Sequence, residues 1–127
     1  MPDKIFHFPF GVISIEGSIM TGVYANDLTI DLELARIIVK QRLSVCAGKS
    51  YPFLADVRQL KLATKEARDY FAKEGVKGMT ALAILVGNHL TVITTNLFIT
   101  FSKPLIPTKA FRTREQALKW LRQYVSY

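Results

Sequence analysis

Pro104-Leu-Ile-Pro-Thr-Lys-Ala-Phe-Arg-Thr-Arg-Glu-Gln-Ala-Leu-Lys-Trp-Leu121 decides the fold class of this chain. A proline-punctuated short strand, Thr108 to Phe111, runs directly into a capped helix. Thr113 with Gln116 three residues on is a capping-box pattern, in which each end satisfies an orphan backbone N–H of the first turn. Ala117, Leu118, Leu121, Tyr124 and Val125 then form one apolar stripe, and Arg114, Lys119 and Arg122 stay in water. A strand feeding a helix that buries one face is the closing unit of an α/β chain.

The same alternation continues upstream. Ala81-Leu-Ala-Ile-Leu-Val86 carries no charge, as a central strand covered on both faces should. Thr64-Lys-Glu-Ala starts a helix with a hydroxyl cap and an early carboxylate near the positive end of the dipole. Its Ala67, Tyr70 and Phe71 face inward and Gly75 ends it. Phe53 to Val57 is a compact strand. Before it, Asp31 offers a cap for a helix in which Leu34, Ile37, Ile38 and Val45 recur at helical spacing until Gly48. Phe10 to Glu16 and Ile19 to Tyr24 are β-branched stretches around a Gly-Ser turn and read as a hairpin.

Asn88 to Lys103 is the ambiguous stretch. Its threonines and isoleucines favour a strand by propensity. Leu90, Ile93, Leu97 and Phe101 nevertheless fall on one helical face; Asn88 can cap the segment and Pro104 ends it, so a helix is expected. The element order becomes β-β-α-β-α-β-α-β-α. It predicts one α/β domain over residues 1–127, with a mostly parallel mixed sheet opened by a hairpin and covered by about four helices.

With 127 residues the chain is long enough to bury roughly two-thirds of its unfolded surface. An apolar fraction of 50% and a charged fraction of 21% are those of a folded protein. The N-terminus lacks the apolar run of a secretion signal, and the charge-free stretch from Asn88 to Ser102 is short of the ~20 residues that span a bilayer. A cytoplasmic location is the expectation, consistent with a single cysteine, Cys46, read as a small core residue. The net charge of +7 is uneven: residues 1–63 hold 7 basic and 6 acidic groups, residues 64–127 hold 10 and 4. Such an excess suits an acidic partner, an anionic head group or loose nucleic-acid association, and a solvated basic face equally.

No catalytic set can be named, and no cofactor is expected. His7 and His89 stand far apart and outside any metal-ligand spacing, and there is no GxGxxG, Walker loop or GxSxG. The aromatics do not alternate with Arg and Lys as in a nucleic-acid stacking platform, so no specific nucleic-acid partner is expected. Asp56 and Arg58 sit at a strand end, where open α/β sheets bind ligands, and Arg58 has the fork to hold a carboxylate or phosphate. Thr64, Lys65 and the helix start beside them form a second anion candidate. A local ion pair and a simple cap are the structural readings of the same residues.

One further feature concerns partners. With the apolar face of the 88–102 helix turned inward, Thr91, Thr94, Thr95, Asn96 and Thr100 lie outward without a charge among them. Charge depletion marks the core of an interface. These residues, with Leu97, are the candidate surface of a homodimer or partner complex, or else the lining of a ligand cavity. Thr95→Arg or Leu97→Arg would then break assembly and spare the fold.

Taken together, the hairpin start, Phe53-Leu-Ala-Asp-Val-Arg58, Thr64-Lys-Glu-Ala-Arg68, the Asn96-bearing helix, Pro104-Leu-Ile-Pro107 and Phe111…Ala117-Leu-Lys-Trp-Leu121 resemble the STAS/SEC14-type, SpoIIAA-like superfamily. The closest likeness is to its small bacterial single-domain proteins of uncharacterised function. The resemblance runs from about residue 10 to residue 124. It implies a βα superhelix around a mixed sheet and, on the STAS side, regulation by partner switching through a phosphorylated serine; a non-enzymatic role is expected because no general base or nucleophile pair can be named. Ala63-Thr64-Lys65-Glu66 stands where that serine motif belongs, with Thr64 as the nearest hydroxyl and Lys65 at the acceptor position. The SEC14 side implies an apolar, commonly lipid-like ligand. The expectations are therefore a dimeric protein-interaction or regulatory module, and alternatively a carrier or sensor of a small apolar or anionic ligand.

Overall fold

The computed structural model describes residues 3–125. Three antiparallel strands open the chain: β1 (Lys4–Phe8), β2 (Gly11–Glu16) and β3 (Ile19–Tyr24). Gly17 takes φ +60° at the β2–β3 turn, a left-handed conformation that glycine adopts without a Cβ clash. Its N–H donates to the Asp3 carboxylate at 2.8 Å, which ties the start of β1 across the hairpin. The sheet continues with β5 (Tyr51–Asp56), β7 (Met79–Leu85) and β8 (Thr108–Phe111), in the order β1-β2-β3-β5-β7-β8. The β3–β5, β5–β7 and β7–β8 pairs are parallel. β4 (Thr29–Ile30) and β6 (Leu62–Ala63) form a separate parallel ladder. It clips together the chain entering α1 (Leu32–Cys46) and α2 (Lys65–Lys73).

Strand alternation sorts the core into two layers. Phe53, Ala55, Leu82 and Ile84 face α1 and α2 and meet Ala35, Ile38, Ala67 and Ala72. Leu54, Ala81, Ala83 and Leu85 face the other way, under Ala117 and Leu121 of α4 (Arg114–Leu121). That is why Ala81 to Leu85 carries no charge: both its faces are covered. The four expected caps all form, with the side chains of Asp31, Thr64, Asn88 and Thr113 accepting from the N–H groups of Leu34, Ala67, Thr91 and Gln116. β1 and the β4–β6 ladder were not expected. β1 is an edge strand of half-exposed residues with little hydrophobic contrast, and two-residue ladders leave no period to read.

One expectation is overturned. Residues 89–102 are helical, as α3 (His89–Leu97) and a π-helical turn (Phe98–Ser102), but the helix is rotated. Thr91 and Thr95 are buried at 3% and 5% exposure, together with Phe98. Leu90, Ile93, Leu97 and Phe101 stand outward at 46%, 56%, 36% and 73%. The cap sets the phase. Thr91 Oγ1 accepts from Gly87 N and Asn88 N, both at 3.0 Å, and donates to Asn88 O at 2.9 Å. With its hydroxyl satisfied inside the first turn, Thr91 can be buried at little cost. Thr91 and Thr95 therefore cannot form a partner surface, and Thr94 is half-buried; Asn96, Leu97 and Thr100 remain exposed.

Candidate functional site

The outward face of α3 is an apolar ridge, Leu90, Ile93, Leu97 and Phe101, prolonged by Leu105 at 72% exposure. Large apolar side chains gathered on one exposed face mark a contact surface more often than scattered ones do. Beside the ridge lies a groove of about 360 Å³ lined by Lys65, Arg68, Asp69, Lys73, Leu97, Phe101 and Ser102. Ser102 donates to Asp69 at 2.8 Å, so the π-helical turn is fastened to α2 across the groove floor. Lys65 pairs with the other Asp69 oxygen at 2.8 Å, and Lys65 and Ser102 hold this carboxyl below its ordinary range. Arg68, Lys73 and Lys103 pair with no carboxylate among the described residues. The groove is thus cationic and borders apolar side chains directly.

On the inner side of α3 runs a second space, a cleft of about 100 Å³ between the sheet and the α2–α3 wall. Ile30, Phe53, Leu60, Phe71 and Phe98 make it apolar; Tyr24, Lys61, Arg68, Thr91, Thr94 and Thr95 are its polar members, so these three threonines meet the cavity-lining alternative. Pockets for drug-sized ligands measure roughly 300–1,000 Å³, whereas an apolar cavity of about 150 Å³ accepts benzene. The space is too small to enclose a whole lipid and large enough for a small apolar group. Arg68 Nη1 donates to Ala63 O at 2.6 Å, while its Nε is buried with no hydrogen-bond partner among the described residues. Tyr24, half-buried at the cleft, has its phenol pushed up to about 12 by burial, against the pull of the nearby Arg42 cation.

The other sequence candidates have structural employment. Arg58 Nε and Nη2 donate to the two oxygens of the buried Asp56 at 3.0 and 2.7 Å, and the Arg58 backbone N–H adds a third bond at 3.1 Å. The fork that was a candidate for an anion holds the strand end instead, and the Asp56 carboxylate raises the Arg58 pKa. Thr64 caps α2 through Ala67 N at 3.2 Å. Of the four anion candidates only Lys65 reaches the groove, where Arg68 and Lys73 join it.

With this geometry in place, the comparisons can be weighed. The model of a family described as a domain of unknown function, DUF7793, matches residues 13–125. The chain belongs to that family. No curated protein matches it. This DUF7793 chain is also similar to the crystal structure of an uncharacterised DUF3478-family protein with a SpoIIAA-like fold from Shewanella loihica PV-4. The identity is 18% over 93% of this chain and 90% of the other, with a TM-score of 0.58. That likeness fixes the fold, as the resemblance implied: a SpoIIAA-like mixed α/β chain. In the DUF7793 chain, no described helix is long and apolar enough to cross a membrane.

Two features of the DUF7793 site escaped the sequence reading. Arg68 appeared only inside a helix start, and its lack of a carboxylate partner among the described residues is a property of the folded chain. The ridge was visible as the 90–93–97–101 period, but that period was assigned to the core.

Proposed function

We propose that this chain is a non-enzymatic docking module whose working surface is the 90–105 ridge with its cationic groove. The observation that carries this reading is the rotation of α3, which leaves Leu90, Ile93 and Leu97 in water and buries Thr91 and Thr95. Leaving Phe101 and Leu105 exposed forgoes burial worth about 1.5–3 kcal/mol per large apolar side chain. A partner that covers them recovers it. The polar groups elsewhere support the same reading because they are engaged in holding the fold: Asp56 with Arg58, Thr64 in its cap, and the Cys46 thiol pushed up by burial.

Homodimerisation is the narrower form of this proposal. It uses the same face, yet a two-fold pairing would bring the unpaired cations of both copies toward one another on a chain of net charge +7. Charge therefore favours an acidic partner over a second copy. A second reading rests on a separate observation, the apolar cleft with the buried, unpartnered Arg68 Nε at its wall. That combination suits a small anionic amphiphile, with its apolar part inside and its charge at Arg68.

A photoreactive phenylalanine analogue at position 101, expressed in the native host, tests the docking reading. It should give a discrete adduct that the same analogue at the exposed position 123 on the α4 side does not. Equal, weak labelling at both positions would contradict a dedicated surface. A ligand mass retained in native mass spectrometry and lost in Arg68→Gln would move the function to the cleft.

A further inference from the structure

We infer that the occupant of this surface is an anionic lipid interface, an inference that rests on the docking reading above. Ile93, Phe101 and Leu105 are the most exposed side chains of the ridge, and Phe101 with Leu97 also lines the cationic groove beside it. The acyl boundary of a bilayer accepts exposed apolar side chains without shape matching, and cations directly beside them complement anionic head groups. The polar rim fits too. Lys65, Arg68 and Lys73 line the groove against Leu97 and Phe101, which is phosphate-binding chemistry placed where head groups lie once the ridge is inserted.

The π-helical turn completes the device. It extends the helix through Ser102, and Lys103 then closes it in a left-handed conformation at φ +53°. Phe101 and Leu105 therefore flank Lys103, two apolar anchors with a cation between them whose stem can lie along the interface and whose ammonium stays wet. Among the described residues this face carries one groove carboxylate, Asp69, and both its oxygens are occupied, by Lys65 and Ser102. The exposed Glu66 lies beside Lys65, and Lys65, Arg68, Lys73 and Lys103 outnumber these two carboxylates, so the face keeps a positive balance toward an anionic surface. Attraction between exposed charges is largely screened beyond about 8 Å at physiological salt, so it should be salt-sensitive while the apolar insertion is not.

The test is co-sedimentation of the intact chain with vesicles of phosphatidylcholine alone and of phosphatidylcholine with phosphatidylglycerol. Binding is expected to the phosphatidylglycerol vesicles, weakened at least tenfold by Phe101→Ser with Leu105→Ser, and similarly by Lys65→Gln with Lys73→Gln. Raised salt should mimic the lysine variant. Circular dichroism should show both variants folded, since every changed residue is solvent-facing. Equal binding to the two vesicle types, or binding indifferent to both variants, overturns the inference. No vesicle binding, together with a discrete protein adduct at position 101, also overturns it and leaves the docking reading standing. No vesicle binding and no adduct removes both.

Discussion

Thr95→Arg is expected to destabilise the chain by more than about 3 kcal/mol, while Leu97→Arg two residues away changes stability by about 0.5 kcal/mol or less. Thr95 is buried against the cleft, whose lining offers a guanidinium no carboxylate and already holds Lys61 and Arg68. Leu97 stands at the groove edge and its replacement projects into solvent. The sequence reading treated these two substitutions as equivalent surface changes, so the experiment separates the two rotations of α3. Urea denaturation of both variants measures it. Matching midpoints would mean that residues 91 and 95 face outward after all.

The second large effect is expected away from the ridge. Arg42→Met should cost about 3 kcal/mol. Arg42 is buried, and its Nη2 donates to Gly75 O at 2.7 Å and Lys77 O at 2.8 Å. It also lies 5.7 Å from the centre of the Phe53 ring. Two charge-assisted bonds contribute roughly 1.5–3 kcal/mol each, and methionine leaves both carbonyls unanswered. Burial lowers the Arg42 pKa, a sign that the charge is held at a desolvation cost, and relief of that cost offsets part of the loss. The affected segment is the turn from α2 into β7, where Gly78 takes φ +78° and a Cβ would crowd Leu43. Its amides should therefore exchange faster before the rest of the sheet is affected. A variant within 0.5 kcal/mol of the parent by urea denaturation would show that the arginine is not what holds this turn.

Arg42 also shows where sequence reading stops. Caps are local: Asp31, Thr64, Asn88 and Thr113 each announce themselves by type and spacing and each side chain caps its helix, although the reciprocal capping box forms at Asn88 and Thr91 and not at Thr113 and Gln116 as expected. The absence of charge in Ala81 to Val86 likewise reports a property of its own strand. An arginine inside an apolar helical period looks the same whether it snorkels to water or reaches two carbonyls more than thirty residues away. That distinction belongs to tertiary contacts. The rotation of α3 was misread for a related reason. Hydrophobic periodicity tells which residues share a face, and the usual assumption sends that face inward. Here the cap hydroxyl of Thr91 satisfies itself and occupies the inward position, so the same period marks the outside. The groove cations were legible only as an excess of charge in the second half of the chain; their alignment beside Leu97 and Phe101 required the fold.

The most direct test of the account is thiol labelling along α3. Single cysteines at positions 93, 97 and 101, and at 91 and 95, are introduced in turn; the native Cys46 is buried and gives a slow background. The account predicts that 93, 97 and 101 react in the free protein at rates near that of an unstructured thiol, while 91 and 95 are protected until the chain unfolds. Protection at 93 and 97 with fast labelling at 91 and 95 would contradict it, and would return the apolar face of this helix to the core.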